Sequence, residues 1–512
     1  MGVHITTFGN PRATSYIPAR RLYHVAMTLL SNASLPGIGP RVARPTYDRG
    51  RLAAGIVHIG LGAFHRAHQA LYTEAVVESG DARWGIVGVS LRDPGVAAVL
   101  NAQDLLYSVT QRHGDTARTR VVGALCRALH APQSLQQVIQ AIADPATAIV
   151  STTVTEKGYS QNPATSDLDT DDTGIRHDMA HPDTPRTTLG VLAAGIRLRP
   201  AGAPLTLLCC DNMANNGDSL RKLLVQYTGL FDAGLARRIG MDIGLPNSMV
   251  DRIVPAATPG SLAWAETRLG LRDQAAIVCE PFTQWVIEDR FAGPRPAWED
   301  AGALLTSDVG PYQAMKLRLL NGTHSALAYT GQLCGLETVS DAMADRQVGG
   351  FARRLMLEDL RATITPPSGF DVAAYCAQLL ERFENPSLAH RTQQIAMDGT
   401  QKVPVRWLPA LRESLAQGLE RPRLERALAS WMFYLATGRN NKGAALVISD
   451  PGASALVMRM HAAGAERDAV YAALGHTSVF GHDAWPQAFI ARLAAHLATL
   501  RQRGVNALLA AV

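Results

Sequence analysis

Cysteine is scarce and scattered here: Cys126, Cys209, Cys210, Cys279, Cys334 and Cys376 form no C-x-x-C pair and do not alternate with histidine at zinc-ligand spacing. That usage excludes a disulfide scaffold and suggests no metal site; buried thiols in a reducing, cytoplasmic setting are expected. Long hydrophobic runs are missing too. The longest, such as Ala203 to Cys210, fall far short of the roughly 20 residues a membrane span needs. Charged residues make up only 18% of the chain, the net charge is +5, and the basic residues form no blocks, which leaves no case for nucleic acid. Acidic residues are absent from residues 1 to 47, where several arginines stand. Such a start can be a transit peptide, but Pro11, Pro18 and Pro36 break any single amphipathic helix. Residues 1–50 therefore read as a basic, loosely ordered leader or a misassigned start.

What remains is an ordinary globular composition, 47% hydrophobic, on 512 residues, long enough for two or more domains. Ile56-Val57-His58-Ile59 is a β-branched run that breaks at Gly60-Leu61-Gly62 and continues as Ala63-Phe64-His65-Arg66-Ala67-His68. A strand turning through glycines into a helix lets backbone N–H groups approach a pyrophosphate, although His65 stands where G-x-G-x-x-G has its third glycine. Trp84 to Ser90 reads as a second strand, ending at Leu91-Arg92-Asp93. An acid there would hold the adenosine ribose and favour NAD, while Arg92 suits a 2′-phosphate; NAD is preferred and NADP stays open. Thr147 to Val154 fits a central parallel strand, and it delivers Thr155-Glu156-Lys157-Gly158-Tyr159 at its C-terminal end, where ligands sit in open α/β sheets. The plain alternative for Glu156 and Lys157 is a surface ion pair. The segment from there to His181-Pro182 reads as a long loop. Leu205 to Cys210 is another strand, followed by Asp211-Asn212; such residues are usually turn-formers or an N-cap, here for a helix near Ser219.

After about Asp308 the β-branched runs give way to Ala/Leu/Arg segments, as in Leu319 to Cys334, Gly349 to Leu360, Ala373 to Phe383 and Leu424 to Ala436. The expected fold is α/β plus α: a Rossmann-type parallel-sheet domain over 51–307, then a mostly α-helical domain over 308–512. The second opens on an unusual stretch. At roughly 100° per residue, Lys316, Asn321 and His324 fall at about 0°, 140° and 80°, so three polar groups share one side of an apolar helix. In the structural reading Lys316 snorkels, Asn321 ends a turn before Gly322, and His324 is a satisfied core histidine. In the chemical reading an amine, an amide and an imidazole point into a cleft, where a desolvated lysine can act as a base near neutral pH. Further on, His390-Arg391-Thr392 to Lys402-Val403-Pro404-Val405-Arg406 places Arg391, Lys402 and Arg406 around a Gly/Thr turn. This is either a solvated surface loop or a polar lid for sugar hydroxyls or a carboxylate.

The K-L-R-L-L-N-G-T-H run with Lys316, Asn321 and His324 resembles the K-x-x-x-x-N-x-x-H motif of the mannitol dehydrogenase family, polyol and sugar-acid dehydrogenases that work without a metal. The resemblance runs from about Ile56 to the C-terminus. It includes the glycine turn, the C-D-N at Cys210-Asp211-Asn212, Val250-Asp251-Arg252-Ile253-Val254-Pro255, and the stretch Cys279 to Asp289. It implies cofactor binding at Gly60, Gly62, Phe64 and Arg66, with Glu156 in the turn beside the nicotinamide; at Arg92 and Asp93 the chain departs from the relatives' L-R-S-E-D, because Pro94 and Gly95 follow. It further implies that Lys316 is the base, that Asn212 and Asn321 hydrogen-bond the reacting oxygen, and that His324 positions substrate. Asp251 and Arg252 read as structural, a buried pair or a turn. The wording after His390 is closer to fructuronate reductases, and Arg391, Lys402 and Arg406 in that turn, together with Arg318 two residues beyond Lys316 and Lys157 of the turn after the central strand, are expected to bind substrate. The expected activity is NAD(P)-dependent hydride transfer at C2 of an open-chain polyol or aldonate, best D-mannonate/D-fructuronate. The alternatives are mannitol 2-dehydrogenase, or a dehydrogenase for another polyol such as arabinitol. A silent nucleotide-binding sensor is the rival of another class, and it would need none of Lys316, Asn321, His324 and Asn212. The expected partner is a small sugar alcohol or sugar acid, with no nucleic acid and no membrane, for a monomer or homodimer.

Overall fold

Short β-branched runs alternating with helices bury both strand faces only when they line up as a parallel sheet. The computed structural model, which describes residues 27–162 and 165–510, builds that sheet. The strands in chain order are β1 (Ile56–Ile59), β2 (Ile86–Ser90), β3 (Tyr107–His113), β4 (Thr116–Val122), β5 (Leu125–His130), β6 (Ile149–Thr152), β7 (Thr206–Cys209), β8 (Ser248–Asp251), β9 (Ile277–Cys279), β10 (Gln284–Glu288) and β11 (Leu304–Thr306). Five of them run parallel in the order β5-β2-β1-β6-β7. Two smaller sheets, β4-β3-β9 and β11-β10-β8, flank it.

The second half is helical, as the change of texture predicts. Val372–Glu384 and Pro422–Thr437 match two expected helices to within two residues at each end. The other two each contain a π-helical turn, at Lys316–Gly322 before Thr323–Cys334 and at Leu355–Leu360 after Arg346–Arg354. The two halves meet at β8 and β10, whose side chains alternate between cores. Met249 and Val286 enter the helical core, while Val250, Trp285 and Ile287 enter the core beneath the parallel sheet. A period of two thus lets one small sheet serve both halves.

Two expectations need correction. Within the leader, residues 27–50 pack: Leu30, Ile38 and Val42 are buried with Leu106, Val121 and Leu269, and Arg49 donates to the Gly123 carbonyl at 3.1 Å. Residues 1–26 lie outside the described residues. The long loop before His181 contains the helix Thr173–Ala180, whose first N–H groups are capped by the Asp172 carboxylate. Among the described residues no helix is long and apolar enough to cross a membrane.

Candidate active site

The strand order reverses between β1 and β6, so a crevice opens beyond their C-terminal ends. Gly60 closes one side: its φ is +107°, and a Cβ there would lie 2.1 Å from the Thr153 carbonyl oxygen, so only glycine fits. Gly62 leaves the other side open, for a Cβ at that position would meet nothing nearer than the Gly60 oxygen at 3.9 Å. Opposite, Thr155 is held at φ +68° by Asp211, whose carboxylate accepts from Val154 N (3.1 Å), Thr155 N (2.8 Å) and Tyr159 Oη (2.5 Å). Asp211 therefore pins the Thr155–Tyr159 turn instead of capping a helix, and burial raises its pKa. Next to this turn lies a cavity of about 980 Å³, lined in part by Leu91, Arg92, Gln133, Lys157, Arg186 and Thr187. Open space over Gly62 and a cavity that begins at Leu91 and Arg92, beyond the neighbouring strand β2, fit a dinucleotide. Asp93 does not line the cavity, and its carboxylate accepts from Gly95 N at 2.8 Å. Phe64 stacks on His68 (5.1 Å between rings) at the start of the helix after the glycine turn.

Lys316 approaches from the helical side. In a π-helical turn the i→i+5 bond makes residues five apart neighbours, so Asn321 stands over Lys316 instead of about 140° round the helix. Lys316 is 8% exposed, and its Nζ donates to Asn212 Oδ1 and to the Val250 carbonyl, both at 2.5 Å. Burial pushes its pKa below the usual lysine value; Asp251 opposes the shift, and Arg382 and Arg406 add to it. Asp251 is already committed, because Arg382 holds both its oxygens at 2.8 and 3.0 Å while also donating to Glu280 at 2.7 and 2.9 Å. The half-buried Asn321 amide takes no partner among the described residues, and only its backbone carbonyl is engaged, by Arg406 at 3.3 Å. Arg406 also donates to Ser325 Oγ at 2.8 Å.

His324 is buried with Nε2 unpartnered, tilted against Phe383 and edge-on to His390, ring centroids 4.7 and 5.1 Å away. Burial and the neighbouring His390, Arg406 and Arg382 hold its pKa well below the ordinary value, which favours the neutral ring. Lys402 donates to the Ile395 carbonyl at 3.1 Å, and its pKa is pushed down to about 8 by burial and then by Arg406. Glu156 is the acid whose charge reaches Lys316, Lys402 and Arg406 together. Lys157 pairs with Asp398 of the helical half at 4.0 Å, not with Glu156.

Three predicted residues are placed elsewhere. Arg318 pairs with Glu413 at 2.5 Å and donates to the Thr363 carbonyl at 2.6 Å. Two residues beyond Lys316 it sits about 200° round a helix, on the opposite side. Arg66 donates to the Ala275 carbonyl at 2.6 Å and lies over the Tyr107 ring at 5.3 Å. Arg391 is exposed on the wall of a second cavity of about 610 Å³. Asp251 and Arg252 are no pair either: Arg252 donates to the carbonyls of Ala67 (2.6 Å) and Glu280 (3.0 Å). Sequence reasoning missed Arg382, His390 and Gln313, which bonds Asn215 N and the Ser248 carbonyl, both at 3.1 Å, and so steadies the loop carrying Asn212. The Asp251 block was the one available signal, as a carboxylate in need of a partner.

Known proteins match this arrangement over most of the chain. The family model described as mannitol dehydrogenase Rossmann domain matches residues 54–300, and that of the mannitol dehydrogenase C-terminal domain matches residues 308–501. D-mannonate oxidoreductase of Escherichia coli (strain K12) is 41% identical over 494 residues, 95% of this chain and 100% of that protein. Mannitol 2-dehydrogenase of Cereibacter sphaeroides is 37% identical over 473 residues, 91% of this chain and 98% of that one. The solved ternary complex of Pseudomonas fluorescens mannitol 2-dehydrogenase with NAD and D-mannitol superposes with a TM-score of 0.84 at 35% identity, covering 94% of this chain and 99% of that one.

Proposed function

The chain belongs to the mannitol dehydrogenase family, oxidoreductases of polyol or sugar-acid CH–OH groups, and from that premise we propose that it interconverts D-mannonate and D-fructuronate with NAD. The observation that carries this reading is the convergence on one crevice of a desolvated lysine, two asparagine amides and an excess of cations. In this reading residues 51–307 hold the dinucleotide and residues 308–512 supply the groups that act on substrate. Gly60, Gly62 and Phe64 line the turn that would hold the cofactor, with Arg92 at the adenosine end and Glu156 nearer the chemistry. When bound, the nicotinamide supplies the hydride acceptor for oxidation and the donor for reduction.

The remaining work falls to the chain's own side chains. On oxidation, neutral Lys316 takes the substrate hydroxyl proton, and on reduction the ammonium returns it. Because Asn212 Oδ1 accepts from Lys316 Nζ, its amide N–H groups are left to face substrate. Together with the free Asn321 amide they stabilise the developing alkoxide, a preorganised contribution of about 3 kcal/mol per donor. Neutral His324 orients the adjacent hydroxyl. Lys402 and Arg406, with Lys157 further out, give the crevice the positive potential an anionic substrate needs. The NAD assignment is supported by the NAD-bound Pseudomonas fluorescens relative, and that relative's D-mannitol keeps D-mannitol/D-fructose as the second reading.

A screen of NADH oxidation against fructuronate, tagaturonate, fructose and xylulose tests the proposal. Fructuronate is expected to exceed fructose at least about tenfold in kcat/KM, as one charge-assisted hydrogen bond allows. Fructose reduced as well as or better than fructuronate overturns it in favour of the second reading.

A further inference from the structure

In fructuronate the ketone is C2 and the carboxylate is C6, at the far end of the chain. Whatever recognises that carboxylate must therefore stand apart from Lys316, and the second cavity, of about 610 Å³, offers such a place. It begins where the catalytic cluster ends, because His390 lines it and also stands edge-on to His324. Its lining includes Arg66, Arg112 and Arg391 and contains no Asp or Glu. None of these three guanidiniums is ion-paired among the described residues. Arg66 is 7% exposed with its Nε unpartnered; the Ala275 carbonyl at 2.6 Å and the field of Asp273, with which it forms no salt bridge, answer its charge only in part.

Arg112, on β3, is the best placed of the three. Its guanidinium carbon lies over the Trp264 ring, 4.9 Å from the centroid, and its N–H groups have no hydrogen-bond partner among the described residues. The end of β3 is tied to the helical half: Asn385 Nδ2 donates to the Arg112 carbonyl at 3.2 Å, Gly114 N donates to Asn385 Oδ1 at 3.3 Å, and Ser387 Oγ donates to the Gly114 carbonyl at 2.9 Å. The backbone at Arg112 is thus fastened to the segment just after the helix Val372–Glu384, which carries Arg382.

We propose that this cavity seats the substrate's terminal carboxylate, with Arg112 stacked on Trp264 as its two-pronged reader and Arg66 as the buried charge behind it. This inference rests on the sugar-acid reading of the same site and names the residue that makes the distinction between acid and polyol.

The test compares fructuronate and fructose reduction by the full-length wild type and Arg112→Gln, with Tm and NADH affinity measured on the same samples. The variant is expected to raise KM for fructuronate at least about tenfold, equivalent to about 1.4 kcal/mol, with kcat within about twofold and the fructose constants unchanged. Arg112→Lys, which keeps the charge but loses the fork, should fall between the two and serves if the glutamine variant misfolds. Fructuronate constants that stay put, or that move together with those of fructose, overturn the proposal. Calorimetric titration of the NADH-bound protein with D-gluconate separates this inference from the substrate assignment. Binding that Arg112→Gln abolishes supports the carboxylate seat even if fructose proves the better substrate, and absence of binding to wild type contradicts it.

Discussion

In the proposed reading the two walls of the crevice would hold their ligands by opposite means. On the sheet side the work is done by backbone: a glycine turn with no room for a side chain at Gly60 and open space over Gly62, facing a strained Thr155 pinned by Asp211. On the helical side it is done by side chains, Lys316, Asn321 and His324, presented by a π-helical turn and the helix after it. The first wall should therefore be damaged by adding atoms and the second by removing them. The two kinds of damage should also be separable, cofactor affinity in one case and turnover in the other.

The largest effect is expected on the helical wall. Lys316→Ala removes the proposed base and should lower kcat for mannonate oxidation about 10³-fold, with the NADH dissociation constant, read by fluorescence titration, within about twofold of wild type. Retention of a tenth of the activity would show that Lys316 is structural. A smaller effect is expected on the sheet wall. Gly60→Ala forces a Cβ into the 2.1 Å gap before the Thr153 oxygen at φ +107°, strain of about 1 to 3 kcal/mol. NADH should bind about tenfold more weakly and Tm should drop, while kcat at saturating cofactor changes less than in the lysine variant. Equal loss of kcat in both variants would erase the contrast between the walls. The smallest effect is one of pH. Lys402, with its pKa pushed down to about 8, loses its charge as pH rises through that value. KM for fructuronate should then climb above about pH 8 while KM for fructose stays level, and parallel profiles would remove Lys402 from the substrate's field.

These contrasts also explain what the sequence made legible. On the sheet wall the glycine turn and the strand ends could be read, because Gly60 and Gly62 lie within a short stretch whose local chemistry carries the meaning, but the partners that hold Arg66 and Asp93 could not. The helical wall was legible only as residue types. A periodic pattern of side chains does not reveal which carbonyl a backbone N–H chooses, so the π-helical turn that sets Asn321 over Lys316 left no mark. Arg382 was invisible for another reason: it meets Asp251 across 131 positions of chain, and the pairing exists only once the halves dock. Arg318 is the instructive error. Its proximity in sequence to Lys316 suggested a role in the cleft, yet helical periodicity alone turns it to the other side, where Glu413 takes it. Residues 27–50 looked unstructured for want of acidic residues, but what orders them is three apolar side chains, Leu30, Ile38 and Val42, meeting Leu106, Val121 and Leu269.

The central claim is that burial keeps Lys316 neutral enough to take a proton. The most direct measurement is the pH profile of the hydride-transfer rate in mannonate oxidation, followed in single turnovers with NAD for wild type and Lys316→Ala. The account predicts a wild-type rate that rises to a plateau with an apparent pKa below the 10.5 of an ordinary lysine, and a far lower, flat profile for the variant. A variant that keeps the same inflection would show that another group carries the proton and would contradict the account.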